Sequence, residues 1–103
     1  MFLFKKVPSI TMSQLEEKLK KPIELIDVRS EMEFESGHIA KAKNIPLNRI
    51  SGYKKKTDQP VYVICQSGAR SKQAADLLIK QGYDAFNVQG GMNVWRNSVK
   101  VGK

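Results

Sequence analysis

The sequence contains little cysteine and histidine: among 103 residues, Cys65 and His38 each occur once. A single cysteine cannot form an internal disulfide, and a chain without disulfides is typical of a reducing compartment. Cysteine and histidine also form no cluster at metal-ligand spacing. These absences exclude a disulfide scaffold, and they predict a cytoplasmic protein that needs no metal and no cofactor.

The sequence also lacks a long hydrophobic run, so no segment is long enough to span a bilayer. Residues 1–6 include apolar side chains, but the charges follow them and no small-residue cleavage site comes next, so we expect no signal peptide. A chain of this length can bury one core without a disulfide or a metal. We therefore expect a single domain over residues 1–103, with no membrane partner.

Positive charge is in excess, with 18 Lys and Arg against 10 Asp and Glu and a formal net charge of +8. This excess favours anionic partners in general. The basic residues are scattered over different segments, however, without aromatic residues among them and without a nucleic-acid-binding motif. The pattern predicts a solvated basic surface and no nucleic-acid partner.

Strand and helix patterns alternate along the chain. Runs of apolar and β-branched residues predict short strands at residues 8–11, 23–28, 42–45, 61–64 and 85–88. Units this short favour parallel neighbours joined by right-handed crossovers. We therefore predict an α/β fold, a three-layer α/β/α domain with a mainly parallel and roughly five-stranded sheet.

The segments between the strands carry helix signals. Capping boxes that pair Ser13 with Glu16 and Ser30 with Glu33 predict helices over residues 14–20 and from 31 to no further than 37. A third helix is predicted from 71 to the glycine at 82. Short turns are expected at residues 47–50 and 92–95, and an exposed, lysine-rich loop at residues 52–59.

Cys65 lies where a predicted buried strand meets a predicted helix. The residues that follow it are small or lack a Cβ, so backbone N–H groups can turn inward and form an anion-binding loop. A helix N-terminus and the nearby Arg70 both favour a thiolate, which is the nucleophilic form of cysteine. A buried, inert cysteine at the end of a core strand is the alternative that this stretch alone leaves open.

Five short motifs, taken together, settle that alternative in favour of a reactive cysteine. They are LIDVR at residues 25–29, GHI at 37–39, NIP at 44–46, CQSGARS at 65–71 and GGMNVW at 90–95. In this order and spacing they resemble a single-domain rhodanese sulfurtransferase, over nearly the whole chain. The resemblance implies that Cys65 is the catalytic nucleophile, which takes a sulfur atom from a donor such as thiosulfate and holds it as a persulfide.

The resemblance also assigns roles to the loop that follows Cys65. Its backbone N–H groups would stabilise the anionic sulfur, and Arg70 would pair with the sulfonate oxygens of the donor. Gln66 and Ser67 are expected to vary with donor or acceptor. The predicted substrate-binding residues are therefore Gln66, Ser67, Gly68, Ala69, Arg70 and Ser71. The implied partners are a small anionic sulfur donor and a thiol or cyanide acceptor, with thioredoxin or another sulfur-relay protein as candidates.

Two other functions stay open. In the first, Cys65 relays sulfur between two proteins and its small-molecule activity is incidental. In the second, the chain is a phosphatase or arsenate reductase of the same fold family. Those enzymes place five residues between Cys and Arg, whereas four stand between Cys65 and Arg70 here. A phosphatase also needs an acid for its leaving group, for which Asp27 or Glu31 would be the candidates.

Three residues outside the loop could be interpreted as catalytic, but we favour structural roles for them. Asp27 and Arg29 lie two positions apart at a strand end, which indicates a structural ion pair or a tether for the loop. His38 stands in a Gly-His-Ile turn, where a ring hydrogen-bonded to the backbone is the commoner arrangement. Trp95 is expected in the core or at the rim of the site.

Overall fold

A computed structural model describes residues 7–55 and 58–103, and within them five parallel strands form one sheet. The strands lie in the order β1-β5-β4-β2-β3. They are β1 Ser9–Ile10, β2 Glu24–Asp27, β3 Lys43–Asn44, β4 Val61–Ile64 and β5 Ala85–Val88. The helices are α1 Met12–Lys18, α2 Glu31–Ser36 and α3 Ala69–Lys80, with 3₁₀ turns at Leu47–Gly52 and Gly91–Val94.

Hydrophobic cores cover both faces of the sheet. All four residues of β4 are buried, as expected for a central parallel strand, and successive side chains point to opposite faces. Val61 and Val63 pack in the core that α3 covers, whereas Tyr62 and Ile64 pack in the core on the α1 side. The predicted three-layer α/β/α fold and its parallel, five-stranded sheet are therefore confirmed.

The sheet brings the ends of its central strands together. β4 lies between β2 and β5, with Asp27 opposite Ile64 in the register of β2 and β4. Cys65 directly follows β4, so it lies beyond the carboxyl ends of the strands, where open parallel sheets bind ligands. The predicted position of Cys65 at a strand end follows from this topology.

The start of α1 corrects a prediction. The capping box pairs Thr11 with Gln14, rather than Ser13 with Glu16: the Thr11 hydroxyl accepts from the Gln14 N–H, and the Gln14 side chain accepts from the Thr11 N–H. β1 ends at Ile10, so Thr11 is the first residue free to cap. This start also buries Leu15 against the sheet, and the helix ends at Lys18.

Other boundaries shift by small steps. α3 begins at Ala69, two residues before the predicted start, because Gly68 takes up a left-handed conformation with φ of 112° and serves as its N-cap. The Ser30 and Glu33 capping box at α2 is confirmed. The region predicted as an exposed loop contains the buried Tyr53, whose hydroxyl donates to Glu24 at 2.7 Å.

The predictions for residues 1–6 and for Lys56 and Thr57 lie outside the described residues. No helix in the part of the chain that is described combines the length and the apolar character needed to cross a lipid bilayer.

Candidate active site

The Cys65 sulfur lies within hydrogen-bonding distance of two groups at the start of α3. The Gly68 N–H donates to Sγ over 3.0 Å, and the Ser71 Oγ lies 3.2 Å from it. The residue is buried, with 1% of its surface exposed. Burial raises the pKa of the thiol, but the Ser71 hydroxyl and the N–H groups of Ser71, Gly68 and Ser67 together outweigh it and lower the pKa. The site therefore favours the thiolate.

Two glycines shape the backbone around this sulfur. Gly68, at its positive φ, turns the chain so that its N–H faces Sγ. Gly91 has φ of 56°, and a Cβ there would lie 2.2 Å from the Cys65 carbonyl oxygen and 2.8 Å from that of Gln66. The same two carbonyls accept the N–H groups of Met92 and Asn93. The Gly90-Gly91 pair of the GGMNVW motif thus lets the 3₁₀ turn pack against the loop.

Asp27 and Arg29 form a buried ion pair beside the loop, as their position at the strand end predicted. Arg29 Nη2 donates to Asp27 Oδ2 over 2.9 Å, and Arg29 Nε lies 3.1 and 3.2 Å from the two carboxylate oxygens. Nη2 also donates to the Gly37 carbonyl oxygen, and Nη1 donates to Gln66 Oε1 over 3.2 Å. Arg29 therefore ties the end of β2 to both α2 and the loop.

The Gln66 side chain is held from both ends. Its Oε1 accepts from Arg29, and its Nε2 donates to Asn93 Oδ1 over 2.7 Å. Ser67 and Ala69, in contrast, are exposed. Of the two positions expected to vary with the substrate, Ser67 is free to face a ligand, whereas a ligand of Gln66 would compete with these two bonds.

Arg70 is paired with Glu33 of α2. Its Nη1 and Nη2 donate to the two carboxylate oxygens over 2.7 and 2.9 Å. This pairing, together with the capping bonds from Ser30, outweighs partial burial and lowers the pKa of Glu33 to about 2. The sequence assigned Glu33 only to a capping box, so its contact with Arg70, 37 positions away, was missed. An anionic donor at Arg70 would meet a guanidinium that already holds a carboxylate.

His38 and Trp95 make packing and backbone contacts of a structural kind. The His38 ring is buried, stacks on Phe34 with centroids 3.5 Å apart, and places Nδ1 2.7 Å from the Phe34 carbonyl oxygen. This is the backbone-bonded ring that the sequence predicted. Trp95 packs against the core on the α1 side and donates from Nε1 to the Ser98 carbonyl oxygen. Within residues 7–55 and 58–103, no group of three His, Cys, Asp or Glu residues could hold a metal ion.

Comparison with known proteins identifies the family to which this site belongs. The model of the rhodanese-like domain family matches residues 11–98. The chain is a member of the rhodanese-like domain family. The crystal structure of a rhodanese-like domain protein from Staphylococcus aureus is 34% identical, with a TM-score of 0.83 over 94% of this chain and 100% of that one.

Two relatives of this rhodanese-like domain differ in what is known of them. The uncharacterised protein YqhL of Bacillus subtilis (strain 168) is 45% identical over 83 residues, which cover 78% of this chain and 66% of YqhL. The protein named thiosulfate sulfurtransferase GlpE of Pseudomonas syringae pv. syringae (strain B728a) is 35% identical over 77 residues, or 72% of this chain and 73% of GlpE. This chain thus spans just under two thirds of YqhL. The rhodanese-like domain family is of the sulfurtransferase type.

Proposed function

We propose that this chain is a sulfurtransferase that carries a sulfane sulfur on Cys65, from thiosulfate or a related donor to a thiophilic acceptor. The observation that carries the proposal is the surroundings of Cys65 Sγ, which accepts the Gly68 N–H and lies 3.2 Å from the Ser71 hydroxyl oxygen. Because these contacts lower the pKa of the thiol, we propose that Cys65 reacts as a thiolate without a separate general base. The name of the relative GlpE supports thiosulfate as a donor.

The proposed reaction has two displacements at sulfur. The Cys65 thiolate attacks the outer sulfur of thiosulfate, a new S–S bond forms, and the S–S bond of the donor breaks. Sulfite leaves with the electron pair of that bond, and the cysteine becomes a persulfide anion. An acceptor such as cyanide then attacks the outer sulfur, which yields thiocyanate and restores the thiolate. The N–H groups that stabilise the thiolate are suited to stabilise the persulfide anion as well.

The two arginines near the loop have different proposed roles. Arg70 is half-buried and is the proposed anchor for the sulfonate oxygens of the donor, in the fork geometry of its guanidinium. Arg29 is buried and holds the loop, so we give it a structural role. A cysteine that must stay reduced also fits a reducing compartment such as the cytoplasm.

A sulfur relay between proteins is the second candidate, and the Arg70–Glu33 pair favours it. A small anionic donor has to compete with the Glu33 carboxylate for Arg70, whereas a protein persulfide carries no sulfonate and need not. Thioredoxin or another sulfur-relay protein would then be the acceptor. The chemistry at Cys65 is the same in both candidates.

A phosphatase is less well supported, because each carboxyl group considered as its general acid is paired with an arginine. Asp27 is buried in its ion pair with Arg29, and the pKa of Glu33 is lowered to about 2. Glu31, the other acid considered from the sequence, is exposed and pairs with Arg49 at 3.5 Å. A leaving-group acid must approach the substrate freely and hold a proton near neutral pH, whereas Asp27 and Glu31 are engaged by arginines and the lowered pKa of Glu33 favours its charged form.

Mass spectrometry of the intact protein tests the proposal. Incubation with thiosulfate should add one sulfur atom, and cyanide should then remove it as thiocyanate. Cys65→Ser should lose both signals, whereas Gln73→Ala, an exposed substitution on α3 outside the loop, should keep them. Arg70→Ala should mainly weaken donor use. Sulfur loading that persists in Cys65→Ser would refute the mechanism, and turnover of an aryl phosphate without sulfur loading would support a phosphatase.

The thiol pKa is a second, independent measurement. The rate of Cys65 alkylation by iodoacetamide, followed against pH, should have its midpoint below about 8.5, the ordinary value for cysteine. A midpoint at or above that value would contradict the argument from the loop geometry.

A further inference from the structure

The Ser71 hydroxyl is surrounded by three polar groups but has a single proton. Its Oγ lies 3.2 Å from Cys65 Sγ, 3.1 Å from the Gly68 carbonyl oxygen and 2.5 Å from Asn87 Oδ1. Ser71 and Asn87 are both buried, with 0% and 1% of their surfaces exposed. Because these groups are shielded from water, the hydrogen bonds have to be satisfied within the cluster.

The arrangement in the structure fits the neutral thiol. The Cys65 S–H can donate to Ser71 Oγ, while the Ser71 O–H donates to Asn87 Oδ1. A thiolate has no proton to donate, so it would stand with Gly68 O and Asn87 Oδ1 as a third acceptor around one hydroxyl proton. If that proton goes to the sulfur, Ser71 Oγ and Asn87 Oδ1 are left facing each other with lone pairs only.

Reversal of the Asn87 amide removes this conflict. With its NH₂ group turned toward Ser71, the amide donates to Ser71 Oγ, and the Ser71 proton is free to reach the sulfur. The other end of the amide faces Ser9 Oγ, which lies 3.4 Å from Nδ2 in the structure. A serine hydroxyl both donates and accepts, so Ser9 can satisfy either end of the amide. The pairing of Ser9 with Asn87 in the register of β1 and β5 holds the two residues side by side.

We propose that Asn87 is a positioning residue whose side-chain amide reverses as Cys65 ionises, so that the Ser71 hydroxyl becomes a donor to the thiolate. The inference rests on the proposed function, in which the thiolate is the working form. Asn87 touches neither donor nor acceptor, and it acts through Ser71. Its effect is to set how readily Cys65 ionises and how well Ser71 stabilises the sulfur anion.

The charged groups near the sulfur do not account for this coupling. On α3, Arg70 interacts with Cys65 and is paired with Glu33 of α2. On β2 and after it, Asp27 and Arg29 pair with each other. The segments Val61–Ile64, Ala85–Val88 and Gly91–Val94 contain no charged residue. The Asn87 amide is uncharged, so we expect it to act on Cys65 through the direction of its hydrogen bond with Ser71.

Nuclear Overhauser effects in the unsubstituted protein test the reversal. Below the pH midpoint of Cys65, found by alkylation, the Asn87 side-chain NH₂ should show cross-peaks to the Ser9 β protons. Above the midpoint those cross-peaks should pass to the Ser71 β protons. In Cys65→Ala, which has no thiol to titrate, the pattern should not change with pH. Cross-peaks that stay with Ser9 throughout the titration would overturn the proposal, even where sulfur loading succeeds.

Substitution provides a second readout. Asn87→Asp offers only acceptors to Ser71 when ionised, so we expect the alkylation midpoint of Cys65 to rise by about one pH unit, the size of one hydrogen bond to a charged group. In a Ser71→Ala background the same substitution should shift the midpoint by less than half as much, because the hydroxyl that transmits the effect is gone. Equal shifts in both backgrounds would show direct charge repulsion and would overturn the proposal.

Discussion

Removing the charge of Glu33 should improve the use of small anionic donors. The Glu33→Gln substitution keeps a side-chain oxygen for the Ser30 N–H, so the capping box at the start of α2 is preserved. It removes the carboxylate that receives both terminal nitrogens of Arg70. Under the proposed mechanism, Arg70 would then be free to pair with the sulfonate oxygens of thiosulfate.

The size of the effect follows from the exposure of the pair. The side chains of Arg70 and Glu33 are 38% and 36% exposed, so solvent screens their attraction. Exposed ion pairs stabilise by about 0.2–1 kcal/mol, and the bidentate geometry favours the upper end. Since 1 kcal/mol is a factor of about five, we expect the KM for thiosulfate to fall by about two- to fivefold. The value of kcat should stay the same, because the sulfur and its hydrogen-bond donors are unchanged.

A matched control is available on the same helix. Glu31→Gln removes an equal charge, but Glu31 pairs with Arg49 rather than Arg70. Steady-state thiocyanate formation should therefore show a lower KM in Glu33→Gln than in Glu31→Gln, and the difference should shrink at high salt. An equal KM in the two variants, or a higher one in Glu33→Gln, would refute the competition argument and indicate that Glu33 positions Arg70 for the donor.

Three further predictions concern stability. Asp27→Ala leaves the buried Arg29 unpaired and should lower the free energy of unfolding in urea by about 3–5 kcal/mol; a loss below about 1 kcal/mol would contradict a buried pair. Gly91→Ala should lower the Tm more than Gly82→Ala. Both glycines have a positive φ, but of the two only Gly91 would place a Cβ against backbone atoms. Equal losses of Tm would show that the strain of the positive φ alone decides the effect. The Glu33 carboxyl, with a folded pKa of about 2 against an ordinary 4.5, should stabilise fully above pH 4.5 and lose this effect as the pH falls toward 2. Acid titrations of unfolding that run parallel in the unsubstituted chain and in Glu33→Gln would argue against that last assignment.

Local patterns were sufficient to predict the sheet and most of the helices. The buried runs at β4 and β5 carry their own signal, and both strands were predicted with the bounds that the structure shows. The predicted start of α1 was wrong because two possible capping boxes overlap in the sequence. Only the end of β1 at Ile10 determines that Thr11 is the N-cap. The predicted start of α3 was two residues too late, because its N-cap is Gly68 and a glycine has no side chain that would indicate a cap in the sequence.

The site was predictable only in part. The residues around Cys65 are neighbours in the sequence, whereas the residues that contact the loop are far from it in the sequence. The strand, the small residues and the helix around Cys65 are contiguous, and Asp27 and Arg29 are only two positions apart. The contacts of Arg70 with Glu33 and of Gln66 with Asn93 join residues 37 and 27 positions apart. No short motif encodes such pairs. Only the packing of α2 and of the 3₁₀ turn against the loop brings them together.

The two arginines beside the loop differ in whether they can exchange partners. Arg29 is buried, and its guanidinium donates to Asp27, to the Gly37 carbonyl oxygen and to Gln66, so releasing it would leave a buried carboxylate unpaired. Arg70 is half-buried, and its partner can return to solvent at small cost. An anionic donor can therefore displace a carboxylate only at Arg70. The same reasoning explains why substitutions at the two arginines should differ, with loss of folding stability at Arg29 and loss of donor affinity at Arg70.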